Sequence, residues 1–482
     1  MILCIDCGLT KGKLMLMDFD GVSCGETSFS TPLCDTTVDT HSLRELLYRS
    51  IKELLKNTGI ASEKIHCITV SGHGNGLYAL GEEDVLPTGY SSMVTDSAAF
   101  LPQPGKTFPI ILQSDWAGQP LPILAWLKET QPEVYHNIKT ILFCKDLLRW
   151  FLTGVAATEE TDASAAGLLN ARSGQYDCRL LQIYGIEDAC DKLPNILKSD
   201  AIAGRVTPEV AEKTGLCPGT SVLAGLFDVN SCMLGSGVID DSAYALIAGT
   251  WGINASVSKT LVEAPSITQC CRFFGSADYV CIDSAPTSCS NLEWFVKTVL
   301  DNMPYEQVNA LVEQQPCDED LIYLPYLYAP MDIPKAKGGF VGLKTHHTKA
   351  AMLRAVYEGI IFEHRYRLEK LQVIGIHTDT AVLSGGASNS DVFAQMFADV
   401  CELKILTPVQ TQAGALGGTI LGATAMGIYP NISTAVNKIV RYRSEFQPNA
   451  NCMEYYRRKY QKFKELQMPS PQVAISRSWA SK

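Results

Sequence analysis

The sequence predicts an α/β protein divided into two domains, and three observations support this. The chain has 482 residues, more than a single hydrophobic core usually accommodates. Strand-like runs such as IHCITVSG and KTILFC alternate with helical patterns such as LRELLYRSIKELLKNTG and LPILAWLKE, as expected for α/β domains. A hairpin pattern at the start recurs near the middle of the chain, which indicates two related halves.

Each predicted hairpin joins two apolar strands through a turn of small residues. The first consists of MILCID, the turn CGLTKG and KLMLMDF, and the second of SAYALIAG, the turn TWG and INASVS. Such turns expose backbone N–H groups, which can hold phosphate oxygens. Gly8 and Thr10 in the first turn, and Gly249, Thr250 and Gly252 in the second, are candidate phosphate-binding residues. Plain hairpins without a ligand are the alternative.

Three further helices are expected in the second half. In TKAAMLRAVYEGIIFEHRYRLEKLQVIG, small residues recur every four positions up to Gly359 and form a flat side that another backbone can approach. The strand TAVLSGG precedes the helix SNSDVFAQMFADVCEL, for which Ser388 or Asn389 is the expected N-cap. The segment TQAGALGGTILGATAMG is a small-residue helix suited to tight packing.

The domain limits are expected at residues 1–235 and 236–446, with 447–482 forming a C-terminal helix and tail. The linker then falls between Asp228 and Ser242, so Asp228 lies near the mouth of a cleft between the domains. Asp6 ends the first predicted strand, where a carboxylate can hold Mg²⁺ through water.

Composition excludes several classes of partner. The formal net charge is −11 and no long basic block is present, which argues against nucleic acid and membrane surfaces. Charged residues interrupt the apolar N-terminus, so we expect neither a signal peptide nor a membrane span there. A cytoplasmic protein with a small-molecule partner is expected, and a homodimer is the default oligomer.

The cysteines are expected to be free thiols. There are 17 and they are scattered along the chain, unlike the framework of a small disulfide-rich domain. Cys4 and Cys7 form a C-x-x-C motif, but they flank Asp6 at the end of a strand and no second ligand pair accompanies them.

Seven segments in order resemble the landmarks of the FGGY family of carbohydrate kinases. They are IDCGLTKGK, SGHGNGL, GLFDVNS, AGTWGINAS, APTSCSNLEWF, LRAVYEGIIF and LSGGASNSDVFAQMFADV. The resemblance spans residues 2 to about 465, and its specificity lies in order and spacing. The segments GLFDV and KDLLRWFLTG are similar to the L-xylulose kinase branch, which also handles 3-keto-L-gulonate.

The resemblance implies a two-domain actin-like ATPase (ribonuclease H-like) fold with a catalytic cleft between the domains, which closes on ATP, Mg²⁺ and a sugar. Asp228 matches the catalytic aspartate, which accepts the proton of the attacking sugar hydroxyl; one positioned carboxylate is what phosphoryl transfer requires. A helix-capping role for Asp228 is the alternative. Asp6 matches the residue near the metal.

The same resemblance assigns the nucleotide contacts. The matching residues are Gly8, Thr10 and Lys13 in the first phosphate loop, Gly249, Thr250 and Gly252 in the second, and Gly385, Gly386 and Asn389 in the adenosine segment. Lys13 as a solvated strand lysine is the alternative. For the later glycines of GALGG, helix packing is the preferred interpretation, and Glu358 is interpreted as structural support.

For the sugar, the resemblance assigns the loop HGNG, with His73, Gly74 and Asn75, followed by Asp96 and Trp116. A structural histidine and a core tryptophan are the alternatives for two of these residues.

Three positions depart from the family pattern in this region. Relatives commonly carry an arginine two residues after the aspartate, where this chain has Ala98, and close relatives have glutamine and lysine at positions 73 and 75. The departures affect the choice of sugar and leave the ATP machinery unchanged.

The sequence therefore predicts an ATP-dependent kinase that phosphorylates a primary hydroxyl of a small ketose or keto-sugar derivative, xylulose-like. A polyol kinase on the same fold and a non-catalytic nucleotide-dependent sugar sensor are the alternatives.

Overall fold

The computed structural model describes residues 1–275, 278–330, 332–333 and 335–467. They form two compact units. Unit 1 comprises Met1–Ile239, Val257–Cys281 and Gln412–Val440, and unit 2 comprises Asp240–Ser256, Ile282–Thr411 and the chain from Arg441 onward. Each unit combines a sheet with helices, so the predicted two-part α/β fold is confirmed. The tail expected after Pro469 lies outside the described residues.

The strands are β1 (Ile2–Cys7), β2 (Lys11–Met17), β3 (Ser23–Ser30), β4 (Leu33–Cys34), β5 (Thr37–Asp39), β6 (Cys67–Gly72), β7 (Tyr78–Leu80), β8 (Thr88–Tyr90), β9 (Thr140–Leu142), β10 (Ala157–Glu159), β11 (Asn195–Leu197), β12 (Ile202–Arg205), β13 (Ser221–Leu223), β14 (Leu226–Phe227), β15 (Tyr244–Ala248), β16 (Gly252–Ser258), β17 (Gln269–Arg272), β18 (Tyr279–Ala285), β19 (Ile322–Leu324), β20 (Gly339–Val341), β21 (Thr380–Ser384), β22 (Lys404–Pro408) and β23 (Tyr442–Phe446).

The α-helices are α1 (Thr40–Thr58), α2 (Phe108–Ile111), α3 (Pro120–Thr130), α4 (Pro132–Asn137), α5 (Cys144–Thr153), α6 (Glu160–Ala165), α7 (Cys178–Tyr184), α8 (Pro208–Thr214), α9 (Asp228–Gly235), α10 (Cys289–Val299), α11 (Tyr305–Gln314), α12 (Lys349–Val373), α13 (Asp391–Cys401), α14 (Ala413–Ala425), α15 (Ile432–Ile439) and α16 (Ala450–Gln467). Among the described helices, none is long and apolar enough to span a membrane.

The main sheet of unit 1 has the strand order β12-β13-β6-β1-β2-β3, with β14 also paired to β6. The predicted first hairpin is confirmed as the antiparallel pair β1–β2, while β1, β13 and β14 all run parallel to β6. Buried apolar side chains of β1, β2, β6, α1 and α5 form one core of this unit.

A glycine separates β13 from β14. Gly225 has φ +89°, and an added Cβ would lie 2.0 Å from the carbonyl oxygen of Val70. Only glycine tolerates both the conformation and the contact. The interruption lets the chain pair again with β6, where Phe227 lies opposite Gly72, so Asp228 directly follows the carboxyl end of a strand.

Unit 2 repeats the arrangement of unit 1. The predicted second hairpin is confirmed as the antiparallel pair β15–β16, and β21 runs parallel to β15. The order β16-β15-β21 thus corresponds to β2-β1-β6, and β22 and β23 extend the sheet. The two halves are related in topology, as the sequence pattern predicts.

The small-residue helix α14 packs at backbone distance in unit 1. An added Cβ at Gly417 would lie 1.9 Å from the carbonyl oxygen of Ser231 on α9, and one at Gly418 would lie 2.6 Å from Thr69 Oγ1 on β6. The packing interpretation of these glycines is confirmed.

Two expectations about helices of unit 2 have different outcomes. On α12, an added Cβ at Gly359 would lie 2.4 Å from the carbonyl oxygen of Tyr323, so the predicted close approach is confirmed. The predicted cap of α13 is wrong: Ser390 caps it by accepting a hydrogen bond from the N–H of Phe393. Ser388 and Asn389 lie in a preceding 3₁₀ turn, Gly386–Asn389, which delays the start of the helix.

Glu358 on α12 anchors the C-terminal helix. Its buried carboxylate accepts hydrogen bonds from Lys459 Nζ at 2.5 Å and from Arg354 Nε at 3.2 Å. These contacts agree with the structural role expected for Glu358.

Candidate active site

Three parallel strands of unit 1 end at the same edge of the sheet and carry candidate residues there. Asp6 lies near the end of β1, His73 follows β6, and Asp228 follows β14. The register aligns Asp6 with Ser71, and Ser71 with Leu226. Carboxyl ends of parallel strands are where α/β proteins place ligand-binding residues. The structure therefore brings together residues separated by more than 200 positions in sequence.

Asp228 is the first residue of α9 and is partly buried. Its Oδ1 accepts a hydrogen bond from the N–H of Val229 at 2.7 Å, and the backbone N–H of Gly74 also stabilises the carboxylate. Burial, and then the charge of nearby Asp6, raise the pKa of Asp228 to about 7. A carboxyl group with that pKa can exchange a proton near neutral pH.

Asp6 is held by Ser71 on one side and lies closely against Gly414 of α14 on the other. Ser71 Oγ donates to its Oδ1 at 2.9 Å, while an added Cβ at Gly414 would lie 2.6 Å from its Oδ2. Burial raises the pKa of Asp6, and the Ser71 hydroxyl and the Lys13 charge oppose this. Lys13 lies opposite Asp6 in the β1–β2 register and donates to Gln412 Oε1 at 2.8 Å, so it is not simply a solvated strand lysine.

The loop of residues 73–76 adjoins Asp228. Gly74 packs against the ring of Phe227, where an added Cβ would lie 2.2 Å from a ring carbon. His73 is buried, its Nε2 lies 2.9 Å from the Tyr78 hydroxyl, and burial lowers its pKa to about 4. The ring of His73 is therefore neutral at physiological pH.

Besides His73 Nδ1, two buried polar atoms in this region have no hydrogen-bond partner among the described residues: Asn75 Oδ1, an acceptor, and Trp116 Nε1, a donor. Their loops adjoin, because the N–H of Gly76 donates to the carbonyl of Gly118 at 2.8 Å. Buried polar atoms usually have partners, so the pair indicates a ligand with both donors and acceptors.

Asp96 begins an exposed 3₁₀ turn, Asp96–Phe100, near the same loop. The turn is attached to the Trp116 segment because the Ser97 hydroxyl donates to the carbonyl of Ala117 at 2.6 Å. Ala98, where the resemblance to the family led us to expect arginine, is exposed. The predicted sugar residues therefore lie on neighbouring loops of unit 1.

The hairpin turns of the two units are built alike. In unit 1 the N–H of Gly8 donates to the carbonyl of Lys11 at 3.0 Å, and Thr10 is exposed. In unit 2 the N–H of Gly249 donates to the carbonyl of Trp251 at 3.1 Å, and Thr250 is exposed.

The candidate glycines separate into two groups by local packing. The fold of unit 2 requires Gly385, which has φ +84° and where a Cβ would lie 2.6 Å from the Ala248 carbonyl oxygen, while Gly252 is closely packed, with a Cβ there 3.2 Å from His364 Nε2. Gly8, Gly249 and Gly386 have neither positive φ nor a neighbour closer than 3.4 Å to an added Cβ. Asn389, in the turn after Gly386, is exposed.

Sequence reasoning missed a set of wholly buried charged side chains in unit 1. They are Lys145, Asp146 and Arg149 on α5, Glu159 on β10 and Asp162 on α6. The segment KDLLRWF could have indicated these buried charges, because its three charged residues lie within an apolar helix that buries nearly all of its residues.

In unit 2, Asp318, His346 and His347 are close enough together to hold a metal ion. However, His347 Nδ1 accepts a hydrogen bond from the N–H of Lys344 at 3.0 Å, and its Nε2 lies 2.9 Å from Asp318 Oδ2. This pattern requires the proton on Nε2, the nitrogen that would have to bind the metal. The group is therefore better described as a structural pair of His347 and Asp318.

Comparisons with known proteins agree with this architecture. The N-terminal domain of the FGGY family of carbohydrate kinases matches residues 1–235, and the C-terminal domain of that family matches residues 244–426. The chain is 31% identical over 481 residues to an L-xylulose/3-keto-L-gulonate kinase of Escherichia coli, covering 96% of this chain and 95% of that protein.

Two further similarities cover nearly the whole chain. A probable L-xylulose kinase of Haemophilus influenzae is 32% identical over 478 residues, covering 95% of this chain and 96% of that protein. The crystal structure of a ligand-bound xylulose kinase from Lactobacillus acidophilus superposes with a TM-score of 0.88 at 23% identity, covering 100% of both chains. The latter shows the fold.

Proposed function

This chain belongs to the FGGY family of carbohydrate kinases, and we propose that it transfers the terminal phosphate of ATP to a primary hydroxyl of a small, uncharged, xylulose-like ketose. The observation that carries the proposal is the pair of buried polar atoms without a partner among the described residues, Asn75 Oδ1 and Trp116 Nε1, on two adjoining loops, of which the first also contacts Asp228. A sugar hydroxyl both donates and accepts, so a polyhydroxy ligand satisfies both atoms.

Asp228 is the general base of the proposed reaction. Its carboxylate accepts the proton of the sugar hydroxyl as that oxygen attacks the terminal phosphorus, and the oxygen bridging to ADP leaves with the electron pair. Its pKa of about 7 supports this role, because a base works best with a pKa near the operating pH. The N–H groups of Gly74 and Val229 orient the carboxylate.

Asp6 fits the role of holding Mg²⁺ through water. One of its oxygens is oriented by Ser71, and the other lies against Gly414, where an added Cβ would come within 2.6 Å of it. Two nearby carboxylates, Asp6 and Asp228, also favour a divalent cation electrostatically. When bound, Mg²⁺ supplies positive charge that offsets the charge of the transferring phosphate.

The nucleotide contacts follow the two hairpin turns. Gly8, Thr10 and Lys13 are assigned to phosphate in unit 1, and Gly249 and Thr250 in unit 2. Gly8, Gly249 and, in the adenosine segment, Gly386 support this assignment because nothing in their own units requires glycine there, whereas a backbone that approaches a ligand closely does. Gly385 shapes the backbone through its positive φ, Gly252 packs against His364, and Asn389 lies exposed beside Gly386.

An uncharged ketose is favoured over a keto sugar acid. A carboxylated sugar needs a cation in its pocket, but burial keeps His73 neutral and Ala98 stands where the family resemblance led us to expect arginine. The relative from Escherichia coli is named for both L-xylulose and 3-keto-L-gulonate; for this chain we propose the first kind of substrate.

The test is ATP-dependent phosphorylation across D- and L-ketopentoses, keto sugar acids, pentitols and glycerol. We expect one ketopentose to have the highest kcat/KM, and Asp228→Asn to lower kcat for it by about 10²- to 10⁴-fold while ATP still binds. Asp200→Asn, at an exposed aspartate of unit 1, is the matched control and should keep full activity.

Other results would contradict separate parts of the proposal. A keto sugar acid or a polyol as the best acceptor would show that the substrate is wrong. Full activity in Asp228→Asn would remove the general base, and ATP binding without transfer to any acceptor would favour a sugar sensor.

A further inference from the structure

The buried charged cluster of unit 1, defined by Lys145, Asp146, Arg149, Glu159 and Asp162, lies beneath the segment that leads into Asp228. All five residues are 0% exposed. Burying charges is unfavourable unless they are paired and hydrogen-bonded. A cluster of this size is therefore expected to have a specific task.

Lys145 lies at the centre of the cluster. Its Nζ is 2.7 Å from Asp146 Oδ1, 3.3 Å from Asp162 Oδ2 and 3.5 Å from Glu159 Oε1. Burial and the neighbouring carboxylates raise the pKa of Asp162 well above its usual range, against the effect of Lys145. Two basic side chains, Lys145 and Arg149, therefore face three acidic ones within the cluster.

Glu159 fixes the direction of one hydroxyl group. Its carboxylate accepts hydrogen bonds from the N–H of Thr161 at 2.8 Å, from Thr161 Oγ1 at 2.6 Å and from Ser199 Oγ at 2.9 Å. A hydroxyl has one hydrogen to donate, and that of Thr161 is committed to Glu159. Thr161 Oγ1 therefore presents a lone pair, which accepts the N–H of Phe227 at 3.0 Å.

The cluster thus holds both ends of the segment that precedes Asp228. Arg149 Nη1 donates to the carbonyl of Ala224 at 2.8 Å, just before the break at Gly225. Thr161 holds the N–H of Phe227 just after that break. These two bonds determine how the chain enters α9, whose first residue is Asp228.

We propose that Thr161 and Glu159 are positioning residues for Asp228: the Glu159 carboxylate orients the Thr161 hydroxyl, which fixes the Phe227 peptide and so aims the Asp228 carboxylate. The inference rests on the proposed role of Asp228 in phosphoryl transfer. Misplacement of a reacting group by about 1 Å can lower a rate about 100-fold without weakening substrate binding. The expected signature is a lower kcat at unchanged KM.

The first test compares Thr161→Val with Thr161→Ser. Valine has the same shape without the hydroxyl, so kcat for the best sugar should fall about 10- to 100-fold, with KM for sugar and ATP within about twofold of wild type. Thr161→Ser keeps the hydroxyl, so its kcat should be close to that of the wild type. Ser199→Ala is the matched control, because it removes a bond to the same carboxylate outside the path to Phe227, and it should keep kcat.

A second variant keeps the test informative if Thr161→Val folds poorly. Glu159→Gln replaces the charged acceptor of the Thr161 hydroxyl by a neutral amide, whose remaining oxygen accepts more weakly and leaves the hydroxyl less firmly oriented. We expect a smaller fall in kcat in the same direction, at unchanged KM. An unchanged kcat in both Thr161→Val and Glu159→Gln would overturn the inference.

A double-mutant cycle separates this inference from the proposed function. If Thr161 acts through Asp228, then Thr161→Val should cause little further loss of kcat in an Asp228→Asn background. An equal fall in both backgrounds would overturn the inference and leave the role of Asp228 intact. An active Asp228→Asn enzyme would instead refute the general base.

A measurement that does not depend on catalysis tests the inference even if the wild-type protein is inactive with every sugar tried. Amide hydrogen exchange at Phe227 should be faster in Thr161→Val than in wild type and unchanged in Ser199→Ala, because only the first variant removes its acceptor. Exchange that does not change in Thr161→Val would overturn the inference whatever the substrate.

Discussion

Asp228 must reach the substrate in its proposed role, yet it is partly buried. This position raises its pKa. Burial and the charge of Asp6 disfavour its carboxylate form, which makes the group a better base and a less stable anion. Such perturbed carboxyls are typical of active sites, and they oppose folding at the pH where they act.

The pH dependence of activity follows from this pKa. The base must be deprotonated to act, so kcat/KM for the best sugar should rise about tenfold per pH unit below pH 7 and level off above it. The measurement is kcat/KM between pH 5 and 9 at saturating ATP. A limb centred near pH 4 would mean that Asp228 has an ordinary pKa in the complex with ATP.

Because phosphate groups also titrate near pH 6, unfolding without ligand supplies the control. A carboxyl with a raised folded-state pKa binds its proton more tightly when folded, so it makes stability fall as pH rises from about 4 to about 7. Asp228→Asn should remove that fall and exceed wild type by about 1 to 3 kcal/mol at pH 8, with a smaller difference at pH 5. Parallel curves for the two proteins would contradict the raised pKa.

At the scale of elements, the turns after β15 and β21 of unit 2 differ in whether the fold itself requires their glycine. Gly249 has an ordinary φ and open space around it, whereas Gly385 has φ +84° and touches the Ala248 carbonyl. Alanine is therefore compatible with the first position and strained at the second.

Gly249→Ala should leave stability unchanged or raise it by about 0.4 to 1 kcal/mol, and should raise KM for ATP because the new methyl group occupies the proposed phosphate position. Gly385→Ala, the matched comparison, should lower stability by about 1 to 3 kcal/mol. Unfolding curves and KM values for both variants check this. An unchanged KM for ATP in a folded Gly249→Ala protein would remove that turn from the nucleotide site.

The sequence predicted some elements and site residues and missed others, and the difference has physical reasons. The hairpins, the long helix α12 and the strand-end positions of Asp6 and Asp228 follow from turn residues and local periodicity, which act over a few positions. The cap of α13 could not be placed, because Ser388, Asn389 and Ser390 are equivalent as caps until the 3₁₀ turn is known. The charged cluster was missed because the partners of Lys145 come from other elements.

At the scale of the whole molecule, unit 1 is not a continuous stretch of chain. Its first 239 residues are completed by Val257–Cys281 and Gln412–Val440. The last stretch contributes α14, whose residues from Ala413 to Ala423 are all buried. The Ser231 hydroxyl of α9 donates to the carbonyl of Gly414 at 2.8 Å, so the helix that begins with Asp228 depends on a segment almost 200 residues later.

This dependence predicts how fragments behave. Residues 1–239 alone, which include the domain limit expected at 235, should lack cooperative unfolding and aggregate, because the surfaces of β1, β6 and α9 that α14 covers would be exposed. A chain joining residues 1–239, 257–281 and 412–440 through flexible Gly/Ser linkers should fold cooperatively. Thermal unfolding by circular dichroism and calorimetry distinguishes the two.

The contact between α9 and α14 supplies the control for that experiment. Gly417→Leu in the linked chain places a side chain where even a Cβ would lie 1.9 Å from the Ser231 carbonyl oxygen, so it should abolish cooperative unfolding. Leu421→Ala creates a cavity in the same helix. It should lower stability by about 2 to 5 kcal/mol and keep the transition cooperative. If residues 1–239 unfolded cooperatively with the same midpoint as the linked chain, α14 would be dispensable, and the division of the chain near residue 235 would describe an independently folding domain.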